Sequence, residues 1–413
     1  MKCSDASGNH PNPRREGRRR FILGAAGLAG AVAAGPESAA RAADAPHRGV
    51  VPEAGAAVPF HGEHQAGVLT PQQQFAAFAA FDVRAGTRDE LADLLRRLTG
   101  RARTLVAGVK PDEPDVAALT TEQDRLTITV GVGASLFDDR FGLGSVRPVG
   151  LTTMPAFRGD RLDPSACHGD LSVQVCARHP DAVLHVLRDL TREARGLLRP
   201  RWRTDGFLNP PRPDGAPRSF IGFKDGLVNP DTSSSREMRR LTWLGSAAGE
   251  PGWARGGCYQ VIRLIRLRAE AWDRVETPEQ ERFLGRHKAT GAPLGGRTES
   301  EVPDFRADPE GRTIPLDCHI RRANPRTPET ADSLFLRRSY NYDRGLAPDG
   351  SLDVGLVFCC YQRDIGRQFA TVQRRLEGEP FADFITTTGG GYFLTLPGVR
   401  DSSDWFGSAL LGT

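Results

Sequence analysis

The sequence predicts an α+β protein built from two similar halves, each an antiparallel sheet covered by helices, and three observations carry this. A buried strand, a polar turn and an amphipathic helix in GDLSVQVCARHPDAVLHVLRDL, starting at Gly169, return in GLVFCCYQRDIGRQFATVQRRL, starting at Gly355. Strands and helices mix along the chain without the strict alternation of a doubly wound parallel sheet. The 413 residues suffice for one large domain or two ordinary ones, each with a core of its own.

Residues 1–42 read as a removable leader. RREGRRRFILGAAGLAGAVAAG is a basic stretch followed by an apolar run too short to span a bilayer comfortably, and Ala40-Arg41-Ala42 offers small residues for cleavage. Arg18-Arg19-Arg20-Phe21-Ile22 resembles the twin-arginine export motif, which implies a periplasmic or extracellular protein that folds before export, often around a cofactor. Seven cations and three anions in this segment account for the whole formal charge of +4, so the remainder is neutral and a nucleic-acid partner has no electrostatic basis.

Residues 43–73 form an irregular N-terminal arm rich in Ala, Gly, Pro and His, and residues 74–205 the first half. FAAFAAFDV is its opening strand. TRDELADLLRRLTG follows as a helix with Thr87 as N-cap, Leu91, Leu94 and Leu95 on its buried face and Gly100 as C-cap. LTITVGVG is a further strand. The second half, within residues 206–413, carries GGCYQVIRLIRLRAEAWDRV, a weaker counterpart of the strand–helix unit that starts at Gly169.

Between the halves lies PRWRTDGFLNPPRPDGAPRSFIGFKDGLVNP, dense in Pro and Gly and without legible regular structure. Long irregular stretches inside compact proteins tend to be functional or disordered, and Phe207, Phe220, Ile221 and Phe223 argue against disorder. Asp225-Gly226 taken alone is a turn dipeptide. GVGASLFDDRFGLG lacks both the P-loop Lys-Ser/Thr and the dinucleotide glycine spacing, so it reads as a strand end and loop. His61 and His64 in HGEHQ lack further ligands nearby and read as surface histidines. Cys167, Cys176, Cys258, Cys318, Cys359 and Cys360 show no metal-ligand spacing, and several sit in apolar runs where a thiol is a small buried hydrophobe.

LDCHIRRANPR is different. By itself His319 reads more simply as a structural histidine, but a single buried neutral imidazole is also all that haem iron needs from a protein, and such a ligand would leave no spacing signature. In FLRRSYNYDRG, Arg337 and Arg338 cannot both be buried cheaply without an anion nearby, such as a haem propionate or a peroxide oxygen.

Gly222-Phe223-Lys224-Asp225-Gly226 resembles the GxxDG signature of the dye-decolourising peroxidases, His319 in HIRRANP their proximal haem ligand, and Arg337 in LRRSYNY their distal arginine. The resemblance runs from HGEHQAG through CHGDLSVQVCA and EPGWARGGCYQVIR to GGGYFLTLPGV, and with the leader it points to the exported deferrochelatase/peroxidase branch of bacterial iron uptake. It implies two ferredoxin-like halves of the dimeric α+β barrel type, with one haem b held mainly in the C-terminal half by His319, Arg337, Gly222, Phe223 and Gly226. It also implies a haem peroxidase in which Asp225 moves the proton of hydrogen peroxide and Arg337 stabilises the developing charge, giving a ferryl intermediate that oxidises bulky organic donors such as dyes. Haem or ferrous iron of an iron-uptake system is a further substrate, other components of that system are partners, and association into a homo-oligomer is a further implication. The alternative is a protein that chiefly releases iron from haem, with peroxidase activity secondary. Asp383 in PFADFI is the expected acceptor for the second ring N–H of His319. Ser339 stands where some other branches have a distal asparagine. Trp405, Trp243, Trp272, Tyr340, Tyr342 and Tyr361 are candidate electron relays, although each by itself reads more simply as a packed aromatic.

Overall fold

The computed structural model describes residues 57–108, 124–246 and 249–412. The expected leader, and the arm as far as residue 56, lie outside the described residues.

Strand β1 (Phe75–Val83) sends Ala77, Ala79 and Phe81 to a helix-covered layer and Ala76, Phe78 and Ala80 to a second apolar layer on its other face. Both faces are buried, which is why the strand reads as an unbroken apolar run. Helix α1 (Arg88–Val106) starts at the expected cap, where the Thr87 hydroxyl accepts the Glu90 N–H at 3.2 Å. It does not stop at Gly100. Leu98, Ala102, Leu105 and Val106 prolong its buried stripe, and their burial outweighs the roughly 1 kcal/mol that a mid-helix glycine costs.

β2 (Thr127–Gly133), β3 (Leu171–Ala177), α2 (Pro180–Glu193) and β4 (Leu198–Phe207) complete the first half. From Pro200 on, β4 lies in the stretch expected to be irregular. Trp202, Thr204 and Gly206 point inward between exposed Arg201, Arg203 and Asp205, a period-2 pattern hidden by its charged outer face and by Pro200 at a register shift.

The second half comprises α3 (Ser235–Leu241), β5 (Cys258–Leu267), α4 (Ala269–Asp273), α5 (Thr277–Leu284), α6 (His319–Ala323), β6 (Leu336–Arg337), β7 (Tyr340–Leu346), β8 (Leu352–Gln362), α7 (Thr371–Leu376) and β9 (Ile385–Thr395). β6 and β7 keep one register against β8, with Arg337 opposite Cys360 and Tyr340 opposite Val357, so they are a single strand interrupted at Arg338 and Ser339.

All pairings between named strands are antiparallel, and both halves share one strand order. In the first it is β4-β1-β3-β2, in the second β9-β5-β8-β7, with the first and third strands central. β2 joins β9 through Gly131–Gly133, and β4 joins β7 where Phe207 faces Asn341. The second strand of each half thus meets the fourth strand of the other, and the circuit closes into a barrel. The repeated segments occupy equivalent places, β3 with α2 and β8 with α7. β5 with α4 instead takes the place of β1 with α1, so it is not a counterpart of the Gly169 unit.

Gly390 is required where β9 passes β5. Its φ is +119°, and a Cβ there would stand 2.0 Å from the Ile262 carbonyl oxygen. Phe78, Cys176, Ile262, Tyr340, Cys359 and Phe393 share the layer facing away from the long helices. In the first half α1 and α2 fill the other face of the sheet; in the second half the helices there are short and leave a cavity against β5 and β8. The six cysteines among the described residues are buried and free. His64 is not the surface residue expected, since it stacks on Trp243 at 3.7 Å and its Nδ1 meets the Gly256 carbonyl at 2.7 Å.

Candidate active site

The GFKDG stretch is a tight hairpin. The Ser219 N–H donates to the Phe223 carbonyl at 3.0 Å, the Asp225 N–H donates to the Pro217 carbonyl at 2.9 Å, and Gly222 turns the chain at φ +83°. Phe223 anchors it, 4% exposed and 6.3 Å from the Trp272 ring. Lys224 pins the outer side, its Nζ 2.5 Å from Glu299 Oε2. Gly226 follows at φ +78° with open space for 4 Å around the position a Cβ would take, so backbone conformation rather than crowding demands glycine there.

Asp225 Oδ1 accepts the Gly226 N–H at 2.7 Å and Arg337 Nη2 at 2.9 Å, while Oδ2 takes no hydrogen bond from any described residue. Burial alone would raise this carboxyl; the Arg337 charge, the Gly226 N–H and the charge of His319 overcome it and hold it below its ordinary 3.8. The site therefore presents a free carboxylate oxygen beside a guanidinium.

His319 opens α6, and its Nδ1 lies 2.9 Å from Glu379 Oε2 and 3.1 Å from Oε1. Glu379, with a side chain 3% exposed, takes the place expected for Asp383. Glu379 stands at the turn before Pro380 and faces the imidazole, whereas Asp383 sits one turn further on, with its carbonyl bonded to Arg268 Nη1. Burial pulls the imidazole down, but the Glu379 charge and hydrogen bond pull it further up, above its ordinary 6.5. With Nδ1 committed to Glu379, Nε2 is the nitrogen left to donate to a ligand in the cavity.

Asp225, Arg337 and His319 line one cavity of about 640 Å³, together with Gly226 and Phe223; Gly222 does not line it. Its apolar walls include Ile265, Leu267, Leu284, Leu356, Phe358 and Val372. Arg286 and Arg326 also face it, and neither has a carboxylate within ion-pairing distance among the described residues. Burial, with Arg326 and Arg337 nearby, lowers Arg286 to about 10, and burial lowers Arg326 as well, so an anion in the cavity would stabilise both guanidiniums. A planar apolar group with carboxylates and an iron needing one imidazole fits this donor set, and the volume suits a bound cofactor.

Arg338 differs from expectation, because it is 4% exposed with no carboxylate within ion-pairing distance among the described residues. It is held by the Thr70 carbonyl and Gln73 Oε1 in the layer away from the cavity. Ser339 is also turned from the cavity, its Oγ accepting the Cys359 N–H at 3.3 Å. Sequence reasoning missed Glu379, Arg286, Arg326 and the paired asparagines Asn229 and Asn341. The signal for Asn229 was present in the Asn-Pro after Asp225, whereas nothing local separates Glu379 from Glu377.

The Dyp-type peroxidase N-terminal profile matches residues 65–208 and the Dyp-type peroxidase C-terminal profile residues 216–400. The chain is 44% identical over 427 aligned residues, the full length of both proteins, to a protein named Deferrochelatase from Escherichia coli strain K12. A DyP-type peroxidase from Cellulomonas bogoriensis superposes with a TM-score of 0.79 at 38% identity, covering 87% of this chain and 99% of that one. Ferric DtpA from Streptomyces lividans gives 0.80 at 34% identity, covering 87% and 98%.

Proposed function

The chain belongs to the Dyp-type peroxidase family and is a haem-dependent peroxidase, and from that premise we propose that Asp225, Arg337 and His319 are its peroxide-handling residues. Hydrogen peroxide is the oxidant, and reducing substrates supply the electrons. The observation that carries the assignment is the convergence of a carboxylate–guanidinium pair at 2.9 Å and a carboxylate-oriented imidazole in one cavity.

When bound, haem would supply the redox-active iron and the store of oxidising equivalents for the reaction with peroxide. His319 would hold it through Nε2, with Glu379 at Nδ1 fixing the ring and raising its basicity. Arg286 and Arg326 offer guanidiniums to its carboxylates. Asp225 Oδ2 accepts a proton from hydrogen peroxide and returns it to the departing oxygen, which leaves as water. Arg337 offsets the negative charge that develops as the O–O bond breaks, and its ion pair keeps Asp225 deprotonated beforehand.

The proposed reductants are bulky organic molecules such as dyes, and residues 1–42 are the proposed twin-arginine leader that exports the folded protein. The full-length relatedness to a protein named Deferrochelatase favours a second reading, in which release of iron from haem is the principal task. Incubating the purified protein with haem and measuring metal-free porphyrin, with and without peroxide, separates the two. For the site itself, His319→Ala is expected to abolish the Soret absorption of bound haem at stoichiometric loading, and a variant that binds as the parent does would refute the assignment.

A further inference from the structure

Asp225 and Arg337 come from segments that share no strand pairing. The Asp225 hairpin closes on itself, and β6 pairs through one edge with β8. The other edge of β6 must find partners for its main-chain groups, because an extended segment keeps its N–H and C=O satisfied. A side chain supplies them. Asn229, four residues after Asp225, donates Nδ2 to the Arg337 carbonyl at 3.0 Å, and its Oδ1 accepts the Arg337 N–H at 2.9 Å.

The reverse arrangement stands on the other side of Asp225. Asn341, four residues after Arg337, accepts the Phe220 N–H at Oδ1 (3.2 Å) and donates Nδ2 to the Arg218 carbonyl (3.2 Å). Asn209 donates to the same carbonyl at 3.0 Å. Two primary amides thus bracket the Asp225 loop against the strand that carries Arg337, one from each side. A carboxamide is the side chain for this task, since it offers one acceptor and a donor in one plane, whereas an ionised carboxylate offers acceptors alone. Both brackets grip main chain, which leaves the Arg337 and Asp225 side chains free to meet in the cavity. Pro230 after Asn229 restricts that residue to extended backbone and cannot itself donate a competing N–H.

We propose that Asn229 and Asn341 are positioning residues that set the separation of Asp225 and Arg337 for peroxide cleavage, acting through the Arg337 main chain and the Asp225 loop. The inference rests on the assignment of Arg337 above. It predicts that Asn229→Ala slows peroxide-limited turnover, because a displacement near 1 Å in a reacting group costs about 10²-fold.

The experiment is a double-mutant cycle on haem-loaded protein at matched haem content, with the rate of reaction with hydrogen peroxide as readout. Asn229→Ala is expected to lose roughly 10- to 100-fold, with KM for the reductant changed by less than about twofold. Asn229→Ala/Arg337→Leu is expected to be no slower than Arg337→Leu, because a positioning residue has nothing left to position. Additive losses, or an Asn229→Ala rate within about threefold of the parent, overturn the proposal. Undiminished turnover in Arg337→Leu would instead overturn the assignment of Arg337, and this role with it. A readout independent of activity is amide hydrogen exchange at Arg337 before haem loading: faster exchange in Asn229→Ala supports the bracket, and unchanged protection overturns it. Asn229→Asp, which keeps the acceptor for the Arg337 N–H, and Asn341→Ala give the same cycle if Asn229→Ala does not accumulate.

Discussion

Replacing Arg337 with leucine removes a guanidinium whose Nη2 lies 2.9 Å from Asp225 Oδ1, at side-chain exposures of 25% and 30%. A unit charge about 4 Å from charge developing on a breaking O–O bond contributes about 4 kcal/mol at an effective dielectric constant of about 20. At about 1.4 kcal/mol per decade, Arg337→Leu should slow the reaction with peroxide about 10³-fold. Asp225→Asn keeps an oxygen in place for the Gly226 N–H and for Arg337, and the residue is exposed enough for water to relay the proton. Its loss should therefore fall at the low end of general acid–base contributions, about 10²-fold. The assay is stopped-flow measurement of the peroxide-driven change in haem absorption, with both variants loaded to the same haem content. Asp225→Asn slower than Arg337→Leu would refute the dominance of charge stabilisation. Arg337→Leu within about threefold of the parent would refute its role altogether.

Because Arg337 and the Gly226 N–H hold Asp225 below 3.8 against its burial, the carboxylate stays a base in mild acid and loses that capacity only as pH falls through its lowered value. Dye oxidation should accordingly have an acidic optimum. A pH–rate profile rising monotonically to alkaline pH would contradict this, and Arg337→Leu should move the acid limb upward. Glu379→Ala frees His319 Nδ1 and should weaken haem binding by about 10- to 100-fold in a spectroscopic titration, while Asp383→Ala should leave it unchanged. Gly390→Ala places a Cβ 2.0 Å from the Ile262 carbonyl at a φ that costs about 1–3 kcal/mol for other residues, so Tm should fall by several degrees in thermal unfolding.

Local patterns announced much of the fold. The Thr87 cap, the apolar run of β1 and the recurrence of the Gly169 segment at Gly355 are all matters of near neighbours in sequence, and each has its counterpart in the structure. Gly100 misled because helix termination depends on what the following turn can bury, and Leu105 and Val106 find a core. β4 was missed because charged side chains on an exposed face conceal a strand whose inward residues are Trp202, Thr204 and Gly206. Among the site residues, motif context singled out Asp225, His319 and Arg337, whereas Glu379 and Arg286 carry no such context.

By itself the sequence determined the two-half α+β organisation, because periodicity and recurrence are properties of neighbouring residues, and it singled out the three chemical groups through local motifs that resemble those of a known family. Only the tertiary structure decided which carboxylate meets His319, where the second arginine, Arg338, is buried, and what holds Asp225 and Arg337 in place. Arg337 and Arg338 are adjacent in sequence and lead to opposite sides of one sheet, one into the cavity and one into the buried layer behind it. That choice belongs to barrel closure and strand register, which bring Glu379 to His319 and Asn229 to Arg337 from distant parts of the chain.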